Sequence, residues 1–206
     1  MSKLPLEHMV PKDEYVFNPQ VLHEVAKSAI GLPHKEAFQT IIDSLSQKYP
    51  GKICTKQDWV FNNAGGAMGQ MTFLYGSLKE YMILFGTSCP TEGHSGRYRA
   101  EVFDFGFKGE WWCEYEGVFE REIHGPGDVA YLGRSIAKHY GIQKEAWMIE
   151  YARGNILSMI PFGFADSVTS TVDPGTIYKA LKNFGTLTTK QLWNRYKLSS
   201  FPEWKV

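Results

Sequence analysis

Residues 98–107 read YRAEVFDFGF and residues 147–154 read WMIEYARG, and these two runs decide the fold. Both are rich in the aromatic and aliphatic residues that favour strands. Each run also carries one acidic residue near its middle, Asp104 in the first and Glu150 in the second. Asp and Glu are disfavoured in strands. On an inward face each would need a partner, a proton or a ligand, whereas on an outward face solvent is sufficient.

The alternation of side chains along a strand assigns these acids to faces. Asp104 shares a face with Ala100 and Val102, and Glu101 lies on the opposite face. Glu150 shares a face with the uncharged residues two positions away on either side. Two carboxyls that faced one apolar cavity would raise each other's pKa values and hold one proton near neutral pH. Such a pair suits general acid–base chemistry.

The chain from about Trp59 to Gly154 consists of short aromatic and aliphatic runs separated by turns that contain glycine. This pattern predicts antiparallel β structure, either a sandwich or a barrel. Ser77–Phe85 also suits a helix by composition. The uncharged stretch Trp59–Leu78 has the length of a membrane span, but its asparagines and glycines indicate strands and turns.

Helices are predicted on both sides of the β region. Asn18 and Pro19 are typical of a helix start, Gly31 is placed to end that helix, and Asp173-Pro174 begins another near the C-terminus. We therefore predict a mostly β single domain with flanking helices. The predicted domain spans residues 1–206. Its parts are N-terminal helices at 17–50, a barrel at 55–155 and C-terminal helices at 156–198.

Composition and motifs argue against several classes of function. The 22 Lys and Arg residues balance the 22 Asp and Glu residues, so net charge gives no attraction for nucleic acid. Three cysteines without a CxxC pair fit neither a disulfide framework nor a zinc site. No HxH or HExxH occurs, and residues 65–69 lack the Lys of a phosphate loop. We expect no metal and no cofactor.

Several blocks, in order along the chain, resemble the sterol Δ8–Δ7 isomerase and sigma receptor family. The resemblance covers about Phe17 to Lys197. The blocks are WVFNNAGGAMG at 59–69, EYMILFGT at 80–87, GHSGRY at 93–98, HGPG at 124–127 and WMIEYARG at 147–154. Ala67 lies where sigma receptors carry a large aromatic residue, whereas the isomerases share GGAMGQM with this chain, which favours an enzyme.

The resemblance implies a fold and a set of site residues. The fold is a cupin-like β-barrel without a metal, closed by two C-terminal amphipathic helices that lie against a membrane, and assembled as a homotrimer. The candidate catalytic residues are Glu150 and Asp104, with Glu101 as the alternative second carboxylate. Tyr81 would orient the glutamate. The other candidate substrate-binding residues are Met71, Phe85, Tyr98, Val102, His124, Ile160, Gly163 and Phe184, although the turn that His124 opens also suits a structural role.

The function implied is a sterol Δ8–Δ7 isomerase, and the alternative is a sigma-receptor-like protein that binds lipophilic amines and sterols without catalysis. A metal-dependent cupin enzyme is a second alternative, but this chain lacks the spacing of metal ligands that such an enzyme needs. The expected partners are a sterol substrate, lipophilic amine inhibitors, a membrane surface and further copies of the chain, but not nucleic acid. We expect the protein at the endoplasmic reticulum membrane, bound peripherally through Ile160, Phe162 and Phe164 or anchored by a preceding segment.

Overall fold

The computed structural model describes residues 6–200, without the side chains of Arg195 and of residues 197–200. Within this range, helices flank a single sheet of eight antiparallel strands. The elements before the sheet are α1 (Pro19–Ser28) and α2 (His34–Lys48). The strands are β1 (Val60–Ala64), β2 (Ala67–Gly76), β3 (Glu80–Thr87), β4 (Thr91–His94), β5 (Ala100–Tyr115), β6 (Glu122–His124), β7 (Val129–Leu132) and β8 (Lys138–Gly154). A short 3₁₀ turn (Ile156–Met159), α3 (Ile160–Thr169) and α4 (Pro174–Ser200) follow.

The two longest strands, β5 and β8, organise the sheet. They pair with each other from Ala100 opposite Gly154 to Tyr115 opposite Lys138. The strand order is β1-β2-β3-β8-β5-β6, with β4 added to β8 and β7 added to β5. Because both long strands serve two sets of neighbours, the sheet curls around an internal cavity. The prediction of a mostly β domain with flanking helices is confirmed.

Two irregularities in β5 change which of its residues face inward. The register shifts between Gly106 and Lys108 and again between Gly109 and Trp111. Gly109 adopts a φ of +74°, a left-handed conformation that glycine adopts without steric cost. Beyond these bulges, the odd-numbered residues Trp111 and Cys113 join the inner apolar cluster. The simple alternation that holds at the start of the strand therefore fails in its second half.

The outer face of the sheet is covered by α1 and α2. Phe103 and Phe105 of β5 pack there with Ile41 and Leu45 of α2, and all four are fully buried. The predicted start of α1 is confirmed, since the Asn18 side chain accepts a hydrogen bond from the backbone N–H of the second helical residue at 2.9 Å. The helix ends at Ser28, before the predicted Gly31, whose φ of +82° instead serves the turn into α2.

Glu80, at the start of β3, fixes the N-terminal segment to the barrel. Its buried carboxylate accepts hydrogen bonds from the backbone N–H groups of Val16 and Phe17, at 2.9 and 3.2 Å, and from the Tyr151 hydroxyl at 2.8 Å. The alternative that Ser77–Phe85 forms a helix is wrong, because β3 pairs along its whole length with β8.

The C-terminal helices α3 and α4 cover the open end of the barrel. Asp166 of α3 accepts a hydrogen bond from the Gly66 N–H at 2.7 Å, and Asn183 of α4 donates one to Asp58 at 3.2 Å. Asp173 begins α4 as predicted, since its carboxylate accepts the backbone N–H three residues later at 3.0 Å. Over residues 6–200, no helix combines the length and apolar content that crossing a bilayer requires.

Candidate active site

The barrel and its two C-terminal helices enclose one mainly apolar cavity. Strand residues line its walls, and α3 and α4 close it from one side. The apolar wall residues include Met71, Phe73, Ile83, Phe85, Val102, Met148, Ile160, Phe164 and Phe184. The charged residues of this lining are Asp104 of β5 and Lys138 and Glu150 of β8, and its polar side chains include Tyr81 of β3.

Glu150 faces the cavity from β8 and is oriented by Tyr81. The Tyr81 hydroxyl donates a short hydrogen bond to Oε1 of Glu150. Burial raises the pKa of Glu150 to about 7, and repulsion from Asp104 acts in the same direction. The Tyr81 hydrogen bond and the positive charge of Lys138 lower it but do not cancel these effects. Glu150 can therefore carry a proton at neutral pH.

Asp104 lies directly opposite Glu150 in the β5–β8 register. Directly opposed residues in an antiparallel pair have Cβ atoms about 5 Å apart on the same face, so both carboxyls face the cavity as the alternation predicted. Asp104 is 9% exposed, and its Oδ2 accepts a hydrogen bond from the Lys138 ammonium at 3.1 Å. The two acids thus differ, one paired with a cation and the other with a phenol.

Lys138 is a cavity residue that the sequence reasoning missed. It begins β8, and its side chain is 4% exposed. Like Met148 and Glu150, it occupies an even-numbered position of β8, and the side chains of all three line the cavity. Extending that alternation back from Glu150 is the signal that would have placed it in the cavity. Trp111 and Tyr140 also line the cavity and were likewise not predicted.

Glu101, the alternative second carboxylate, lies outside the cavity. It follows Ala100 and precedes Val102, so the pleat directs it to the outer face of β5. There it accepts hydrogen bonds from Arg153 at 2.8 Å and Lys12 at 3.1 Å. Burial alone would raise the pKa of Glu101, but these two cations lower it below its usual value. Its position argues for a structural ion pair, not for contact with a cavity ligand.

Most of the predicted substrate-binding residues line the cavity. They are Met71, Tyr81, Phe85, Tyr98, Val102, Ile160, Gly163 and Phe184. Their roles in binding remain predictions. His124 does not line it; its ring is buried behind the wall and stacks on Trp111, with the ring centroids 5.2 Å apart. The placement of His124 follows from β6, which pairs on the edge of β5 away from β8.

The arrangement can donate and accept protons in an environment with little water. Glu150 supplies an acid whose pKa lies near the ambient pH, the condition in which general acid–base catalysis is most effective. Asp104 supplies a second carboxyl beside it. Among residues 6–200, no cluster of three or more His, Cys, Asp or Glu side chains is arranged to hold a metal ion.

The sequence matches a known protein family over nearly its whole length. Residues 3–196 match the family model described as ERG2 and Sigma1 receptor like protein. The C-8 sterol isomerase erg2 of Aspergillus fumigatus is 40% identical over 175 residues, covering 83% of this chain and 73% of that protein. Sigma non-opioid intracellular receptor 1 of Xenopus tropicalis is 42% identical over 175 residues, covering 83% and 78%.

Among solved structures, KdgF from Halomonas sp. is 15% identical, with a TM-score of 0.42, covering 50% of this chain and 94% of that one. The family match spans nearly the whole sequence, and the relatives align over most of their own lengths. This chain belongs to the family of ERG2 and Sigma1 receptor like proteins.

Proposed function

We propose that this protein is a sterol Δ8–Δ7 isomerase, which moves a double bond within the ring system of a sterol. The observation that carries the proposal is the pair of opposed carboxyls in an apolar cavity, with the pKa of Glu150 raised to about 7. Relatives named C-8 sterol isomerase, from Aspergillus fumigatus and Pyricularia oryzae, are each 40% identical to this chain.

The isolated double bond of such a sterol is not activated, so the reaction must begin with protonation of that bond by an acid. Protonated Glu150 donates its proton to carbon 9, and a tertiary cation forms at carbon 8. A carboxylate then removes a proton from carbon 7; Asp104, which pairs with the Lys138 ammonium in the cavity, is the candidate for this role. Return of that proton to Glu150 restores the starting state, so the sterol changes neither its atoms nor its oxidation level.

The cavity supports this chemistry through electrostatics and the exclusion of water. When Glu150 loses its proton, it becomes a carboxylate beside the newly formed cation, and their attraction is strong where the surroundings are apolar. The Tyr81 hydroxyl donates to Glu150, and this hydrogen bond strengthens as negative charge develops on the carboxyl. The apolar walls hold the rings in place and keep water from quenching the cation.

Incubation of the purified protein with a Δ8 sterol in detergent, followed by gas chromatography, tests the proposal. We expect time-dependent formation of the Δ7 isomer without any added redox cofactor. The carboxyl proton of Glu150 exchanges with solvent before it is transferred to carbon 9. A reaction in deuterated water should therefore place deuterium at carbon 9. Folded protein that binds the sterol but forms no Δ7 product would contradict an isomerase.

A second candidate function is binding without catalysis, as in a sigma receptor. Receptors named sigma non-opioid intracellular receptor 1 are as similar to this chain as the isomerases are, for example 42% identical in Xenopus tropicalis. An ammonium ligand and a carbocation are stabilised by the same kind of pocket, a carboxylate surrounded by apolar walls. On either function, lipophilic amines are expected to compete with sterol, and only turnover distinguishes the two.

We also propose that the protein lies on the endoplasmic reticulum membrane, because an insoluble sterol must enter from a bilayer. Ile160, Phe162 and Phe164, the membrane contacts expected from sequence, line the cavity and are only partly exposed. The outward apolar residues of this region are Leu157, Val168, Val172, Tyr178, Leu181, Leu192, Trp193 and Tyr196. These side chains suit peripheral binding to a bilayer.

The proposed assembly is a homotrimer. The support for it is the resemblance to the family at the glycine-rich block 65–69, together with exposed apolar residues on the β1–β2 hairpin, where Phe61 is 54% and Met68 is 44% exposed. Sedimentation velocity in mild detergent tests the proposal, since a monomeric mass at micromolar concentration would contradict it.

A further inference from the structure

Lys138 is a buried cation in the cavity wall that the mechanism above does not use. Its ammonium lies 3.1 Å from Oδ2 of Asp104, and both side chains line the cavity. A lysine is almost never buried unless it is paired, because removing an ammonium from water is costly. The position of this cation beside the two carboxyls requires an explanation.

The groups around Lys138 determine the charge of the site. Cys113 and Tyr115 face it from β5, Tyr140 from β8, His124 and Glu122 from β6, and Asp104 and Glu150 from the cavity centre. Burial would lower the pKa of Lys138, but attraction to Cys113 and Asp104 raises it overall. Lys138 therefore stays protonated in the neutral range.

The neighbours other than the two carboxyls are neutral there or lie at the rim. Burial raises the pKa of the Cys113 thiol, and burial together with Lys138 lowers the pKa of His124. Burial also raises the pKa of the phenols of Tyr115 and Tyr140, so both keep their protons. Glu122 is half-exposed, at 52% of its side chain, and solvent screens its charge. The charge inside the cavity is thus set by Asp104, Lys138 and Glu150.

We propose that Lys138 is a positioning residue that pairs with Asp104 and thereby assigns the single exchangeable proton of the cavity to Glu150. This inference rests on the proposed isomerase function and adds a third member to its site. With Lys138 present, Oδ2 of Asp104 accepts a hydrogen bond from the ammonium at 3.1 Å, and Glu150 is the group that Tyr81 orients. The acid and its neighbour then have different and fixed roles.

The alternative without a cation is a pair of carboxyls that share one proton. Two opposed carboxyls repel each other when both are ionised, so one of them takes up a proton and its pKa rises strongly. The proton then belongs to the pair and not to one residue. Lys138 removes this ambiguity, because its positive charge favours the ionised form of the carboxyl that it contacts.

The same cation affects which ligands the cavity prefers. While Glu150 is protonated, the charges of Lys138 and Asp104 cancel, so the cavity offers no net attraction to an ammonium group. The binding of a neutral alkene does not depend on this net charge. Without Lys138 the site would keep one negative charge even when it holds a proton, and it would attract amines at lower pH. Lys138 therefore favours a neutral substrate over a cationic ligand.

The test is the variant Lys138→Met, which keeps the length of the side chain and removes its charge. Activity of the wild type should fall above about pH 7, as Glu150 loses its proton. In Lys138→Met we expect this alkaline limb of kcat/KM to move upward by about one pH unit or more, because the nearby cation no longer favours ionisation. The charge-preserving variant Lys138→Arg should leave the limb near its wild-type position.

Binding of a lipophilic amine, measured by calorimetry, gives a second readout that does not depend on turnover. At pH 6 the affinity of Lys138→Met should exceed that of the wild type by about tenfold, because its site keeps a negative charge. If Lys138→Met does not fold, the neutral pair Asp104→Asn/Lys138→Met avoids an unpaired buried charge. Because this variant also lacks the proposed base, its readout is amine binding and not turnover: the pH at which amine affinity rises should lie below that of the wild type, because the repulsion from Asp104 is also removed.

The outcomes separate this inference from the proposed function. A wild type that isomerises sterol, together with a folded Lys138→Met whose alkaline limb and amine affinity at pH 6 are unchanged, would overturn the role of Lys138 and leave the isomerase intact. A wild type without turnover would overturn the isomerase. In that case the amine titration would still decide whether Lys138 sets the charge of the cavity.

Discussion

Asp104 of β5 and Glu150 of β8 are direct cross-strand partners, and both side chains face the same cavity. Two carboxyls so placed would repel each other if both were ionised. The protein resolves this conflict with two different contacts, an ammonium on Asp104 and a phenol on Glu150. One acid is thereby poised to hold a proton near pH 7 and the other is paired with a cation, which is the asymmetry that a proton shuttle between two carbons needs.

The affinity for lipophilic amines should depend on pH in a direction set by Glu150. Its pKa is raised to about 7, so its carboxylate, the partner of an ammonium, becomes available as the pH rises through 7. Between pH 5.5 and pH 8 we expect the affinity for a lipophilic amine of constant charge to increase about tenfold, as measured by calorimetry. A neutral sterol analogue of the same shape should show no such rise. Equal affinities for the two ligands at pH 8 would refute the electrostatic explanation.

The hydroxyl of Tyr81 should contribute to turnover more than to binding. Tyr81→Phe removes the donor to Glu150, and hydrogen bonds to charged groups contribute about 1.5–3 kcal/mol. We expect kcat to fall by about tenfold or more while KM changes little, because the bond strengthens only as Glu150 gains charge. Tyr131→Phe is the matched control, since its hydroxyl donates to Glu101 on the outer face at 3.2 Å. Equal losses in both variants would show a general effect of lost phenols.

The stability of the protein should depend on the ionisation of Glu150. Its pKa is about 7 in the folded protein and near 4.5 when exposed, so folding disfavours its charged form. The wild type therefore loses stability as the pH rises from about 4.5 to about 7, and Glu150→Gln does not. Above pH 7 we expect the free energy of unfolding of Glu150→Gln to exceed that of the wild type by about 1–3 kcal/mol. This difference corresponds to several degrees in Tm. A difference in Tm that is the same at pH 4.5 and pH 8 would contradict the assignment.

Binding to bilayers should depend on the outward residues of the C-terminal helices and of the turn that joins them. Val168 is 58% exposed and Val172 is 71% exposed. Val168→Asp/Val172→Asp places two charges on this surface and should reduce flotation with phosphatidylcholine vesicles severalfold, with little change in Tm. Phe119→Asp, in the turn after β5, is the control, because Phe119 is 93% exposed but lies outside these helices. Absence of flotation by the folded wild type would mean that α3 and α4 only close the cavity.

Side-chain alternation assigned the two carboxyls to the faces that the structure shows, because the pairing around them is regular. From Ala100 to Gly106 on β5 and from Met148 to Gly154 on β8, no bulge interrupts the register. Side-chain alternation is therefore reliable there, and it also separates Asp104 from Glu101. The motif blocks could not make this distinction, because neither Glu101 nor Asp104 lies in one of them.

The rest of the site depends on features that local patterns do not contain. The bulges after Gly106 bring Trp111 and Cys113 inward against the alternation of the first half of β5. Lys138 is reached by alternation from Glu150 only if β8 is known to be one strand of 17 residues. The composition of the first residues of β8 does not indicate a strand. His124 falls within a recognisable block, yet its strand β6 lies behind the wall. Tertiary pairing decides all three cases.

The measurement that tests the central claim most directly is the turnover of a Δ8 sterol by Glu150→Gln. This variant keeps the shape of the side chain and removes its proton donor and its charge. We predict that kcat falls at least about a hundredfold, the lower end of general acid–base contributions, while the protein remains folded. Glu101→Gln, which removes a carboxylate from the outer face beside Arg153, should stay within about threefold of the wild type. Isomerisation by Glu150→Gln near the wild-type rate would contradict the account.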